Sequence, residues 1–241
     1  MNKKSGSKRR HFTRRGFSIC LLACLVFVLP SSAAAASGAQ QVPGELADVL
    51  LNGDWGYYEV AANEPAGLAG VAPRQVDLPH TWNALDATDA EPGYRRDTGW
   101  YRKVLRFSEG AQRHRHILYF ESANMKAEVY VNGKPAGGHV GGYLGFEIEI
   151  TDYLDFTREN EVLVRVDNGV DRDLIPSQKS DFVLYGGLTR DVYLQVRPAL
   201  HIDSLQIDTP SVSAESAQVE STVFLSGRDL EPGHYWLELT V

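Results

Sequence analysis

Cysteine is almost absent. The 241 residues hold two, Cys20 and Cys24, and none beyond position 24, so no disulfide and no thiolate metal site can hold residues 25–241 together. Their stability has to come from a buried core. No apolar run is long enough to cross a bilayer: the uncharged stretch from Ile19 to Leu29 spans about 11 residues, against the roughly 20 of a transmembrane helix. Basic charge is in deficit, with 24 Lys and Arg against 31 Asp and Glu and a net charge of −7, which argues against nucleic acid and anionic membrane as partners. The glycine-rich stretch "GKPAGGHVGGYLG" (133–145) lacks the GxGxxG spacing and the following helix of a phosphate cradle, and hairpin or sandwich-loop geometry accounts for its glycines.

The first segment is itself informative. Lys3, Lys4, Lys8, Arg9, Arg10, Arg14 and Arg15 precede the apolar run, and small residues from Ser31 to Ala36 follow it. This three-part order is that of a secretory signal, cleaved near Ala36 or Ala39 rather than kept as an anchor. "TRRGFS" (13–18) resembles the bacterial twin-arginine signal, and a general secretory signal fits equally. "LLAC" (21–24) matches a lipoprotein box but would leave only a stub of apolar run, so lipidation is not expected. The implied location is periplasmic or extracellular, without stable membrane insertion. Loss of the seven basic residues leaves 17 Lys and Arg against 31 acids, a net charge of −14. Both cysteines leave with the signal.

The remaining chain reads as strands and turns. Alternating or apolar runs occur at "HILYFES" (116–122), "KAEVYVNG" (126–133), "GFEIEIT" (145–151), "NEVLVRVDN" (160–168) and "RDVYLQVR" (190–197). In "FEIEI", Phe146, Ile148 and Ile150 share one face and Glu147 and Glu149 the other, as in a sheet with one wet side. Asn132-Gly133 is the dipeptide favoured by a type I′ hairpin. Short strands at this spacing predict an all-β protein built on a β-sandwich. After "VRPAL" the pattern restarts with "HIDSLQIDTP", "AQVESTVFLS" and "YWLELTV", too few strands for a second sandwich to close, so the chain is expected to end inside its second domain.

Five motifs in order, "VDLPHTWN" (76–83), "YRRDTGWYRK" (94–103), "AEVYVNGKPAGGHVGGYLGFEIEIT" (127–151), "ENEVLVRVDN" (159–168) and "SDFVLYGGLTRDVYLQV" (180–196), resemble the N-terminal sugar-binding domain of glycoside hydrolase family 2. The resemblance implies a signal peptide at 1–36, a galactose-binding-like jelly-roll domain at 37–198 and a truncated immunoglobulin-like domain at 199–241. The family's two catalytic glutamates lie on a (β/α)₈ barrel that follows these domains, so the chain is expected to be inactive alone, with no catalytic residue of its own. It also implies hydrolysis of O-glycosyl bonds, β-galactosides first, with a carbohydrate and a C-terminal barrel as partners, and neither metal nor cofactor. The resemblance assigns one site residue. Asp181 stands just before "YGG", where related β-galactosidases present an acid that reaches the barrel's active site and helps hold the sugar. A carboxylate can accept hydrogen bonds from two adjacent hydroxyls. The ordinary alternative is a loop residue stabilising a turn. Gly186 and Gly187 would then set the sharp path of the loop, with Arg190 and Asp191 as a structural ion pair.

Other candidates read as structural. Retaining glycosidases need two carboxyls about 5 Å apart in a shaped pocket. Asn63-Glu64 lies in a loop, Asn160-Glu161 opens a strand, and Glu147 and Glu149 read as solvated surface. His114 and His116 could share a strand face but have no third ligand nearby. Trp82, Tyr94, Trp100 and Tyr101 with Arg95, Arg96 and Arg102 could stack on sugar rings, although burial in the sandwich is the commoner use of such aromatics. "VDLPHTWN" reads as packing, and Asn83 is not assigned to the site. The alternative function is a non-catalytic carbohydrate-binding protein, and a third is a sheet module that binds no sugar. Sugar titration separates these two.

Overall fold

The computed structural model describes residues 38–90, 93–175, 183–227 and 238. The signal segment, Asp181 and, Glu238 apart, the strand expected at 235–241 lie outside them.

Thirteen strands and three 3₁₀ turns occur among the described residues, with no α-helix. One sheet takes the order β4 (Arg74–Val76), β3 (Trp55–Tyr58), β5 (Thr98–Phe107), β10 (Asn160–Asp167), β7 (Lys126–Val131), β8 (Lys134–Val140), with β1 (Gln40–Val42) parallel to β5. The facing sheet is β2 (Ala47–Leu50), β11 (Val192–Arg197), β6 (Arg115–Phe120), β9 (Phe146–Glu149). β12 (Leu200–Val212) and β13 (Ala217–Gly227) form a separate antiparallel pair. The all-β sandwich is therefore as expected.

Alternation explains the layers. Val162, Val164 and Val166 of β10 point inward with Val129 and Val131 of β7, and meet Leu118, Phe120, Leu194 and Val196 from the other sheet. The opposite side of β5 and β10 is covered as well, because Trp100 and Leu163 pack there with Tyr58 and Leu68, and the Trp100 indole N–H donates to the Ala62 carbonyl at 2.9 Å. The Asn132-Gly133 turn has φ of 51° and 77°, the positive pair that a type I′ hairpin requires.

Two readings change and one is resolved. Of the hairpin and loop geometries open to residues 134–140 they take the hairpin strand, whose glycines permit close approach, since a Cβ on Gly138 would lie 2.6 Å from the Ala127 carbonyl oxygen and one on Gly137 2.8 Å from Ile148. Glu149 is not free surface, because it takes a two-pronged contact from Arg115 at 3.0 and 2.6 Å, and Arg115 also donates to Ser226 of β13 at 2.7 Å. Arg190 and Asp191 do not pair with each other; the Asp191 carboxylate accepts instead from Asn52 at 2.8 Å and from the Tyr193 hydroxyl at 3.2 Å.

Candidate functional site

Strand direction gathers four connections at one end of the sandwich. Thr98, Asp167, Lys126 and Val140 lie in one row of the large sheet, and Phe120, Val192 and Phe146 in one row of the small sheet. The segment entering β5 and the β6–β7, β8–β9 and β10–β11 connections therefore start or end there. The stretch 77–90 crosses the same end.

Two buried asparagines tie these segments together. Asn83 and Asn168 are both 0% exposed. The Asn83 Nδ2 donates to the Leu184 carbonyl at 2.9 Å and to that of Arg95 at 3.3 Å. The Asn168 Nδ2 donates to the same two carbonyls, at 2.9 and 3.2 Å. In return the Gly186 N–H donates to Asn83 Oδ1 at 2.9 Å and the Asp97 N–H to Asn168 Oδ1 at 2.8 Å. Each carboxamide thus uses both donor and acceptor, as a buried amide must if its desolvation is to be offset. Backbone bonds extend the tie: Trp82 N–H to the Gly186 carbonyl (3.2 Å), His80 N–H to that of Leu188 (2.8 Å) and Asn124 N–H to that of Gly187 (3.1 Å).

The glycines follow from this crowding. A Cβ at Gly186 would sit 2.2 Å from the Trp82 ring, and Gly187 has φ of +130° with the His80 carbonyl and Tyr101 hydroxyl each 2.5 Å from where its Cβ would be. Only glycine fits such a path.

Below the segment lies an aromatic floor. Tyr57 stacks on Trp82 with centroids 6.2 Å apart, and Tyr101 meets Tyr57 at 5.2 Å. The His80 Nδ1 is 2.7 Å from the Tyr101 hydroxyl, and its Nε2 is 3.2 Å from the Arg74 guanidinium. A guanidinium only donates, so Nε2 accepts and Nδ1 carries the proton. Burial, with Arg74 beside it, pushes the His80 pKa down to about 4, which keeps the ring neutral. Burial likewise raises the Tyr57 hydroxyl to about 12 and that of Tyr101 higher. None of these groups exchanges protons near neutrality, so the floor shapes the site without supplying acid–base chemistry.

Pro79, His80, Thr81, Tyr185 and Thr189 line an open cleft of about 250 Å³. Tyr185 is 44% exposed at its rim. Pockets that enclose a whole ligand run from about 300 to 1,000 Å³, so this cleft is smaller than that range.

The sequence-level candidates divide. Asp181, the substrate-binding candidate, lies outside the described residues, three positions before the anchored Leu184. The aromatic and basic cluster splits: Tyr101 is in the core, Trp100 under the opposite face, Tyr94 exposed, Arg102 paired with Glu161 at 2.6 Å, and Arg95 bonded to Glu59 and Asp97 while lying 6.0 Å from the Trp82 ring centre. Asn160 holds a turn through Asp155 and Arg158, so Asn160-Glu161 is structural. His116 is a core residue, set edge-on against Phe107 at 4.8 Å, while His114 ends a 3₁₀ turn. No group of three or more metal-ligating His, Cys, Asp or Glu occurs among the described residues. In sequence Asn83 reads as part of a packing segment and Asn168 as the end of a strand run, because nothing local reveals that residues 83, 95, 168 and 184 converge.

Comparison with known proteins decides the family. Residues 75–198, just over half of the chain, match the family model described as the sugar-binding domain of glycosyl hydrolases family 2. The chain belongs to this family. Among curated relatives it is 37% identical over 191 residues to a β-glucuronidase of Bacteroides fragilis, covering 75% of this chain and 26% of that protein. It is 30% identical over 166 residues to a β-galactosidase of Thermoanaerobacter pseudethanolicus, covering 68% and 22%. The solved β-glucuronidase of Bacteroides uniformis superposes with a TM-score of 0.65 at 35% identity, over 73% of this chain and 22% of that one. The family 2 chain thus spans about a quarter or less of the length of these relatives.

Proposed function

We propose that this chain is the N-terminal sandwich of an exported family 2 glycosidase that hydrolyses β-glucuronides or β-galactosides, and that Asp181 binds the sugar at the active site of a following catalytic barrel. The observation that carries the reading is the fixed course of residues 184–188, held at the loop end of the sandwich beside a cleft that forms only one wall. A partial wall suits a domain that completes another domain's pocket. The acids weighed above support the same division of labour, since Glu147 is exposed while Glu149 and Glu161 are engaged by arginines, leaving none of them enclosed as a retaining pair needs.

The relatives carry both substrate names, so the expectation of β-galactosides widens to include β-glucuronides. Asp181 would accept hydrogen bonds from sugar hydroxyls, a charge-assisted contact worth about 1.5–3 kcal/mol, or about ten- to a hundredfold in kcat/KM. The test is to express the full gene product and assay p-nitrophenyl β-D-glucuronide and β-D-galactoside. Asp181→Asn should lower kcat/KM by that factor on the cleaved substrate while the unfolding midpoint stays put. Unchanged kinetics would remove Asp181 from the site. Cleavage of neither substrate would reject the glycosidase reading.

A further inference from the structure

The outer faces of the two sheets differ. On the large sheet Trp100 and Leu163 are covered by Tyr58 and Leu68. On the small sheet the side chains that point away from the core form a row across four strands, Leu50, Tyr193, Tyr119 and Glu147, each paired with the next. None of the four belongs to a hydrophobic cluster of the described residues. Leu50 is 49% exposed, Glu147 is exposed, and both tyrosines are half-buried, with one ring face's worth of surface still open to solvent.

The two rings form a platform, with centroids 6.5 Å apart and planes that differ by 31°. Gly145 gives Tyr119 its room, since a Cβ there would lie 2.6 Å from the hydroxyl and 3.1 Å from the ring. Asp191 fixes the other ring: its carboxylate accepts from the Tyr193 hydroxyl at 3.2 Å and is itself held by Asn52 at 2.8 Å. Asp191 and Glu121, joined by a backbone bond of 3.0 Å, border the platform on the side of the loop end, and Glu147 closes the row. The arginines further along these strands are engaged, Arg197 by Asp48 and Arg115 by Glu149, each at 2.6 Å.

From this we infer that the outer face of the small sheet is a second binding surface, separate from the cleft, for an extended neutral glycan. The C–H face of a sugar ring is apolar and lies flat on an aromatic ring, while its hydroxyls donate to carboxylates at the rim. Two rings in one row seat two successive sugars. The rim narrows the occupant, because acid set against acid repels a uronate or sulfated chain and equally a second copy of this face. The inference does not rest on the glycosidase reading, since a chain can be held here without being cleaved.

Native electrophoresis of the full gene product through gels containing hydroxyethyl cellulose, β-1,4-galactan or galactomannan tests it, with polygalacturonate as the anionic comparator. At least one neutral polymer should retard the protein, and polygalacturonate should not. Tyr193→Ala and Tyr119→Ala should each weaken that binding about tenfold, through loss of one ring's buried area and stacking; Tyr119→Phe, which keeps the ring, should bind as the wild type does. Should the alanine variants fail to fold, Glu147→Ala at its exposed position takes their place, with an expected loss of about tenfold. Retardation by no neutral polymer, equal retardation by polygalacturonate, or binding that these substitutions leave unchanged would each overturn the inference. So would sedimentation showing a wild-type dimer that Tyr193→Ala splits, because a second copy would then cover the face.

Discussion

Two histidines show how single residues set the acid limit of this molecule. His116 has no exposed surface, no hydrogen-bond partner on either ring nitrogen among the described residues, and Phe107 and Phe156 against its ring. Burial first, with His114 nearby, pushes its pKa down to about 4, and His80 sits equally low beneath the clamped segment. Near pH 5 the unfolded chain, whose histidines titrate at about 6.5, binds more protons than the folded one, so stability falls as pH drops through this window and is flat above it. For His116 the full loss between about pH 6.5 and 4 is about 3 kcal/mol. Urea unfolding at pH 7.5 and 5 should give a lower midpoint at pH 5, and His116→Phe, which fills the same apolar site without a titratable ring, should shrink the difference. An unchanged pH dependence in that variant would contradict the assignment.

At the scale of elements, the strands that alternate cleanly are those legible in sequence: β6, β7, β9, β10 and β11 begin and end within two residues of where period-two reading places them. β5 is less legible because Trp100 and Lys103 break its pattern. Trp100 is an apolar side chain on the outward face with its own small core, and Lys103 faces inward, its ammonium donating to the Gly53 carbonyl at 2.5 Å. β8 is hidden by glycines that serve close strand contact. Gly138→Val should drive a side chain into the Ala127 carbonyl and cost about 1–3 kcal/mol in urea denaturation; full stability in that variant would mean that β8 is not held at this distance. The candidate site is the least legible part. Its motif could be recognised, but the clamp joins residues more than a hundred positions apart, and periodicity carries no information about that. A second long-range tie, from Arg115 to Glu149 and across to Ser226, links the sandwich edge to β13. Arg115→Met should leave the sandwich folded and speed proteolysis within residues 200–227, where the strands are largely exposed. Equal cleavage rates would mean that the tie adds no order to the hairpin.

For the whole molecule, charge and partial walls point the same way. A sandwich that carries −14 after loss of the expected signal has no electrostatic reason to hold nucleic acid. Under the function proposed above, its open cleft would form one side of a site that a catalytic domain completes. The decisive measurement is the mass of the native polypeptide, detected in its source cells with an antibody raised against residues 37–241. The account predicts one band several times larger than 26.7 kDa. A band at or below that mass would contradict it, and would leave the sandwich as a binding protein without hydrolysis.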